Sequence, residues 1–187
     1  MLVAVVTGTR PQIVKSAPVL RALEDRGIDV LFVHTGQHYD HEMSRSLLEE
    51  LDLPEPKYCL RAGGGSHAEQ TARILIGAEE VFLKEKPDLV VVAGDVNSTL
   101  GCALAAAKLR SREDYRPLVA HIESGLRAFL PWMPEEINRK LVDCLSDILF
   151  VTEESARRNL ISEGRTEDEI YLVGNTMIDS LDRVLKH

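Results

Sequence analysis

Short apolar runs and longer amphipathic stretches alternate seven times along this chain. The runs cover residues 3–6, 30–33, 58–60, 89–92, 118–122, 148–151 and 170–173. Most are continuous Val/Ile/Leu rather than alternating, as expected of strands buried on both faces in a parallel sheet. Between them lie helical spacings: Ile13-Val14-Ala17-Val19-Leu20-Leu23, Met43-Leu47-Leu48-Leu51, Ala72-Ile74-Leu75-Ala78-Val81-Phe82 and Leu100-Ala103-Leu104-Ala107-Leu109. Three more follow as Ile137-Leu141-Val142-Leu145, Ala156-Leu160-Ile161 and Met177-Leu181-Val184-Leu185. Ser66 and Glu69 stand three apart ahead of the third helix, the spacing of a capping box. The alternation predicts an α/β fold: a doubly wound, mostly parallel, seven-stranded Rossmann-like sheet with right-handed crossovers, formed by residues 1–187 as one domain.

In such sheets ligands bind outside the carboxyl ends of the strands, near the point where strand order reverses. The residues that follow each run therefore matter most. They are Gly8-Thr9-Arg10-Pro11, Gly36-Gln37-His38-Tyr39-Asp40, Gly94-Asp95-Val96-Asn97-Ser98-Thr99, Glu123-Ser124-Gly125-Leu126-Arg127 and Gly174-Asn175-Thr176. Polar groups crowd one edge of the predicted sheet, and that edge is the candidate site.

Composition narrows the class. The 187 residues are 44% hydrophobic and 28% charged, enough for a core that needs no disulfide staple. No apolar run approaches the ~18 residues of a membrane span, and the first strand-like run lacks the basic lead-in and cleavage site of a signal peptide. The three cysteines, Cys59, Cys102 and Cys144, show no metal-binding or disulfide spacing, so a reduced, cytoplasmic setting is expected. A net charge of −8 argues against a nucleic-acid or membrane-surface partner, while leaving room for an anionic small ligand held by local cations.

Arg10 stands between a strand end and a helix that opens with Pro11, where free N–H groups and a guanidinium make a seat for phosphate. The glycine-rich dinucleotide fingerprint and the P-loop are both absent. Asp95 and Glu123 each follow an apolar run, and Glu135 and Glu136 follow Pro134. A helix cap or a first-turn acid explains any one of these, yet two acids at neighbouring strand ends plus one on a nearby helix form an acid/base constellation. Arg127 and Arg139 are candidate partners for those acids or for a phosphate. Gln37 and His38 are candidate ligand contacts. His38 and His41 have the spacing of a metal pair but no third ligand, so no metal is assigned. His121, inside a strand, reads as a satisfied core histidine.

These motifs together resemble a family. The segments G-T-R-P-Q-I-V-K-S-A-P-V (8–19), T-G-Q-H-Y-D (35–40), A-E-Q-T-A-R-I-L (68–75), G-D-V-N-S-T (94–99), H-I-E-S-G-L-R (121–127), M-P-E-E-I-N-R (133–139) and V-G-N-T-M-I-D (173–179) are similar, in order, to the non-hydrolysing UDP-N-acetylglucosamine 2-epimerases. The resemblance implies the N-terminal half of a glycosyltransferase-B-like pair of Rossmann-like domains, with the active site in the cleft between them. It places Asp95, Glu123 and Glu135 on the catalytic carboxylates, Arg10 on a phosphate contact and Arg139 near the reacting sugar. Gln37, His38 and Asn175 fall at substrate-binding positions. It implies a UDP-sugar ligand, no cofactor, and interconversion of UDP-GlcNAc and UDP-ManNAc by loss and re-addition of UDP. Family members are about twice this length, so a second half, missing or separate, supplies the other wall and a homodimer is compatible. A non-catalytic sugar-nucleotide-binding half and a hydrolysing epimerase that releases free ManNAc stay open as alternatives. Two departures stand out: Gln12 where the family usually has Glu, and a more apolar loop at 128–133.

Overall fold

The computed structural model describes residues 1–37 and 41–186; the candidate His38 lies outside them. Among the described residues, seven strands run in chain order as β1 (Leu2–Thr7), β2 (Asp29–His34), β3 (Tyr58–Cys59), β4 (Leu89–Ala93), β5 (Leu118–Ile122), β6 (Ile148–Val151) and β7 (Ile170–Leu172). The helices between and after them are α1 (Arg10–Glu24), α2 (His41–Glu50), α3 (His67–Glu85), α4 (Asn97–Leu109), α5 (Pro134–Leu145), α6 (Glu154–Ser162) and α7 (Thr176–Lys186). Each predicted run falls on a strand to within one residue at either end. All pairings are parallel, in the order β3-β2-β1-β4-β5-β6-β7. The order reverses between β1 and β4, and the turns after those two strands open at that crevice.

The sheet is covered on both faces, which is why its strands carry continuous apolar runs. On one face Val3, Val5, Val91, Ala93, Ala120 and Ile122 pack under α1 and α2. On the other Ala4, Val6, Val90, Val92 and Val119 pack under α3, α4 and Val142 of α5. Farther along that second face Leu149, Val151, Ala156, Leu160 and Ile170 form a separate apolar cluster with α6. No described helix is long and apolar enough to cross a membrane. The capping box forms: Ser66 Oγ accepts from Glu69 N, and the Glu69 carboxylate accepts from Ser66 N.

Two helices correct the sequence reading of their faces. In α5 the predicted core positions Ile137 and Leu141 are 48% and 46% exposed, whereas Glu136, Asn138 and Asp143 are buried beside Val142. In α7 the predicted stripe Met177, Leu181, Val184 and Leu185 is exposed, and the helix packs on α1 through Ser180, whose hydroxyl donates to Val14 O at 2.7 Å. The spacing was helical in both cases, but spacing alone does not say which face meets the sheet.

Candidate active site

The turn after β1 is built around an approach that only glycine permits. A Cβ on Gly8 would lie 2.0 Å from Ser98 Oγ and 2.2 Å from Thr35 Oγ1, so this turn, the end of β2 and the start of α4 are packed together. Gln12 ties the turn across to β4. Its Oε1 accepts from Gly8 N at 2.8 Å, and its Nε2 donates to Ala93 O at 2.7 Å and Thr99 Oγ1 at 3.0 Å. The Gln found where the family usually has Glu thus uses both ends of an amide. The N-cap of α1, Thr9, makes no side-chain cap bond, so the first N–H groups of the helix keep their positive end open, with exposed Arg10 beside them.

Asp95 follows β4, but it does not cap α4. The N-cap is Val96, and the Asp95 carboxylate instead pairs with Arg139 of α5 at 2.5 Å. Arg139 also reaches Glu136 at 3.2 Å, and Asn138 Nδ2 donates to Asp95 O at 2.8 Å. Asn138 and Arg139 of α5 therefore both face the turn after β4, and Glu136 is joined to it only through Arg139. Burial alone would push the Glu136 carboxyl up, but the Ala128 N–H, Arg139 and the Phe129 N–H outweigh it and hold that acid below the usual carboxylate range.

Glu123 follows β5 directly and adopts φ +65°, the left-handed region that a non-glycine residue rarely occupies. Its carboxylate pairs with Lys15 of α1 at 2.5 Å. The same carboxylate lies over the next turn: a Cβ on Gly94 would be 3.8 Å from Glu123 Oε2 and 3.3 Å from Lys15 Nζ. Register explains the meeting, since Ala93 of β4 pairs with Ile122 of β5. Asp95 and Glu123 thus leave adjacent parallel strands on one edge. Glu135, in the first turn of α5, lines a cavity of about 290 Å³ together with Gln37, His67, Gln70, Asn97 and Asn138.

Gln37 is buried in the wall of that cavity, where its Oε1 accepts from Ser98 N at 2.8 Å and Ser98 Oγ at 2.6 Å. Asn175 accepts from Met177 N at 3.0 Å at the start of α7, where it serves as a local cap. Arg127 is not a free cation for a phosphate: its side chain is fully buried and pairs with Asp143 at 2.7 Å and Glu163 at 2.5 Å. Burial would lower its guanidinium, but those two carboxylates raise it above its ordinary value. Lys15, Asn138 and Asp143 were missed by sequence reasoning, and Glu136, read there as a candidate acid in the first turn, is buried against the loop ahead of α5. Lys15 sits on a helix read only for its apolar face, and Asp143 sits in a helix whose apolar face was assigned inward. No group of three or more His, Cys, Asp or Glu side chains that could hold a metal ion occurs among the described residues.

Comparison with known proteins places the family and the fold. The family model described as UDP-N-acetylglucosamine 2-epimerase matches residues 21–187. The chain belongs to the UDP-N-acetylglucosamine 2-epimerase family. It is 50% identical to UDP-N-acetylglucosamine 2-epimerase of Methanocaldococcus jannaschii over 100% of this chain and 49% of that protein. A crystal structure of the M. jannaschii enzyme in complex with UDP-GlcNAc and UDP superposes with TM-score 0.94, covering 100% of this chain and 50% of that one. The chain is 46% identical, over 96% of its length and 50% of the relative's, to UDP-2,3-diacetamido-2,3-dideoxy-D-glucuronate 2-epimerase of Pseudomonas aeruginosa. This member of the epimerase family therefore spans about half the length of the curated relatives it matches, and its fold is one Rossmann-like half of their glycosyltransferase-B-like architecture.

Proposed function

We propose that this chain forms the acid-bearing wall of a UDP-N-acetylglucosamine 2-epimerase, a single Rossmann-like domain that works with a second half across a cleft. The observation that carries the reading is Glu123, held in a left-handed conformation so that its carboxylate lies over Gly94, next to Asp95. The chemistry follows from the substrate. C2 of a UDP-linked N-acetylhexosamine has no neighbouring carbonyl to acidify its proton, so the C1–O bond must weaken first. Its electron pair leaves with UDP, and an oxocarbenium-like centre develops at C1. Asp95, Glu123 and Glu135 face that centre, stabilise its charge and supply the base that takes the C2 proton, giving the 1,2-glycal. Arg10 and the open N-terminus of α1 stabilise the departing diphosphate. Re-addition of UDP to C1 with a proton delivered to the opposite face of C2 gives the manno epimer, and no net redox change occurs.

Arg139 and Lys15 orient Asp95 and Glu123 in this scheme. The substrate class is a UDP-linked 2-acetamido sugar; the relative named for UDP-2,3-diacetamido-2,3-dideoxy-D-glucuronate makes that second sugar part of the test. The full-length protein is incubated with each UDP-sugar in deuterated water, and C2 deuterium and products are followed by NMR. Deuterated UDP-ManNAc supports the non-hydrolysing reaction. Free ManNAc with UDP points to the hydrolysing one. UDP-sugar binding without any C2 exchange would leave only a binding half.

A further inference from the structure

The two apolar clusters on the α3–α6 face of the sheet are separated by a buried polar chain. In register across that face stand Val92 of β4, His121 of β5 and Leu149 of β6; Val92 belongs to one cluster and Leu149 to the other. His121 is fully buried between them. Its Nε2 lies 2.8 Å from Gly94 O, and its Nδ1 lies 2.7 Å from Asp143 Oδ1. The second oxygen of Asp143 accepts from Gly125 N at 3.0 Å and from Arg127 at 2.7 Å. One end of the chain is therefore the backbone just before Asp95, and the other is the backbone two residues after Glu123. Gly94, Glu123 and Gly125 all take positive φ, at +69°, +65° and +76°, so the peptide groups of these turns are off the regular ladder and need other partners.

The two nitrogens of His121 face a carbonyl on one turn and a carboxylate on α5, so the ring bridges the two. Burial alone would raise the Asp143 carboxyl, but His121 and Arg127 hold it below the usual carboxylate range. A buried ionic group of this kind is a poor source of stability, because apolar side chains of similar volume generally do as well. Its other effect is geometric. Asp143 belongs to α5, the helix that also carries Glu135 and Arg139, so the chain joins all three carriers of the site's charged groups.

We propose that His121 and Asp143 are positioning residues that set the spacing of the Asp95 and Glu123 carboxylates by fastening the two turns to each other and to α5; the catalytic consequence rests on the epimerase reading above. Neither side chain touches substrate. The test uses the full-length protein with His121→Gln, His121→Phe and Asp143→Asn variants. Three things are read: the kcat for C2 deuterium exchange, the affinity for UDP, and amide hydrogen exchange at residues 94–95 and 123–125. The expected result is a fall in kcat of about 100-fold, the scale of a misplaced catalytic group, with UDP affinity almost unchanged. Either substitution alone should speed exchange at both turns together, and the double variant should add little. In the wild-type protein the amides of residues 94–95 and 123–125 should exchange through one shared opening, whose free energy falls equally at both turns as urea is raised. The proposal is overturned by folded variants with wild-type kcat, by loosening confined to one turn, or by separate openings of the two turns in the wild type. That last measurement decides the matter even if a variant does not fold. A wild-type protein without C2 exchange would defeat the epimerase reading instead, and the paired loosening would still judge the fastening.

Discussion

Two residues show how the site is set one side chain at a time. Gln12 satisfies the Gly8 N–H, the Ala93 carbonyl and the Thr99 hydroxyl from a buried position. Gln12→Leu keeps approximate volume but leaves the buried Gly8 N–H without its acceptor, while the Ala93 carbonyl keeps the Thr99 hydroxyl, so it should cost about 1–3 kcal/mol in urea unfolding. Arg10 is exposed beside the open start of α1. If it clamps the leaving diphosphate, Arg10→Ala in the full-length protein should lower kcat/KM by about 2–4 kcal/mol of transition-state stabilisation, with folding unaffected. An unchanged kcat/KM would reduce Arg10 to a solvated turn residue.

At the scale of the element, α5 and β2 matter most. Helix α5 turns Glu136, Asn138 and Asp143 inward and leaves Ile137 and Leu141 outside. Glu136 gathers the N–H groups of Ala128 and Phe129, the latter at φ +57°, and thereby holds the loop ahead of the helix. Glu136→Ala should cost about 3–5 kcal/mol, because Arg139 loses a buried partner and two N–H groups lose their acceptor; thermal unfolding checks this, and a loss below 1 kcal/mol would contradict it. Strand β2 ends in His34, whose Nδ1 accepts from Gly36 N at 3.0 Å. Burial pushes this imidazole down to about 4, well under the ~6.5 of an unfolded chain. The folded state therefore holds His34 neutral while the unfolded chain takes up a proton, so stability is full above pH 6.5 and falls as pH drops toward 4. The loss should approach about 3 kcal/mol, and His34→Asn should flatten that part of the curve in urea titrations at several pH values.

At the scale of the molecule, a sheet covered on both faces and the proposed two-walled cleft predict different fates for folding and catalysis. Seven strands covered on both faces form a core of their own, so the 187 residues alone should fold cooperatively. Exposed apolar residues remain on α7 and on the loop carrying Phe129 and Trp132. The proposed acids line one wall only, and water reaches them freely without a second wall. The lone chain should therefore show a single unfolding transition but no C2 deuterium exchange with UDP-GlcNAc. Adding the second half should restore exchange, and exchange by the lone chain would show that copies of it rebuild a cleft.

The sequence by itself determined the α/β class, the seven strands and the edge at which the polar groups gather, because a buried parallel strand and an amphipathic helix each leave a local periodicity. It also marked Asp95, Glu123 and Arg10, since residues just past a strand end are placed by that strand, and Glu135 by the proline that opens its helix. Only the tertiary structure decided their partners. Lys15 meets Glu123 across 108 positions and Arg139 meets Asp95 across 44, separations that no local pattern encodes. It also decided which side of α5 lies inward. Apolar spacing pointed Ile137 and Leu141 to the core, but the pairs available there were polar: Asp95 for Arg139, and His121 with Gly125 for Asp143. A buried charge is tolerated only where its partner already waits, and that partner comes from another strand.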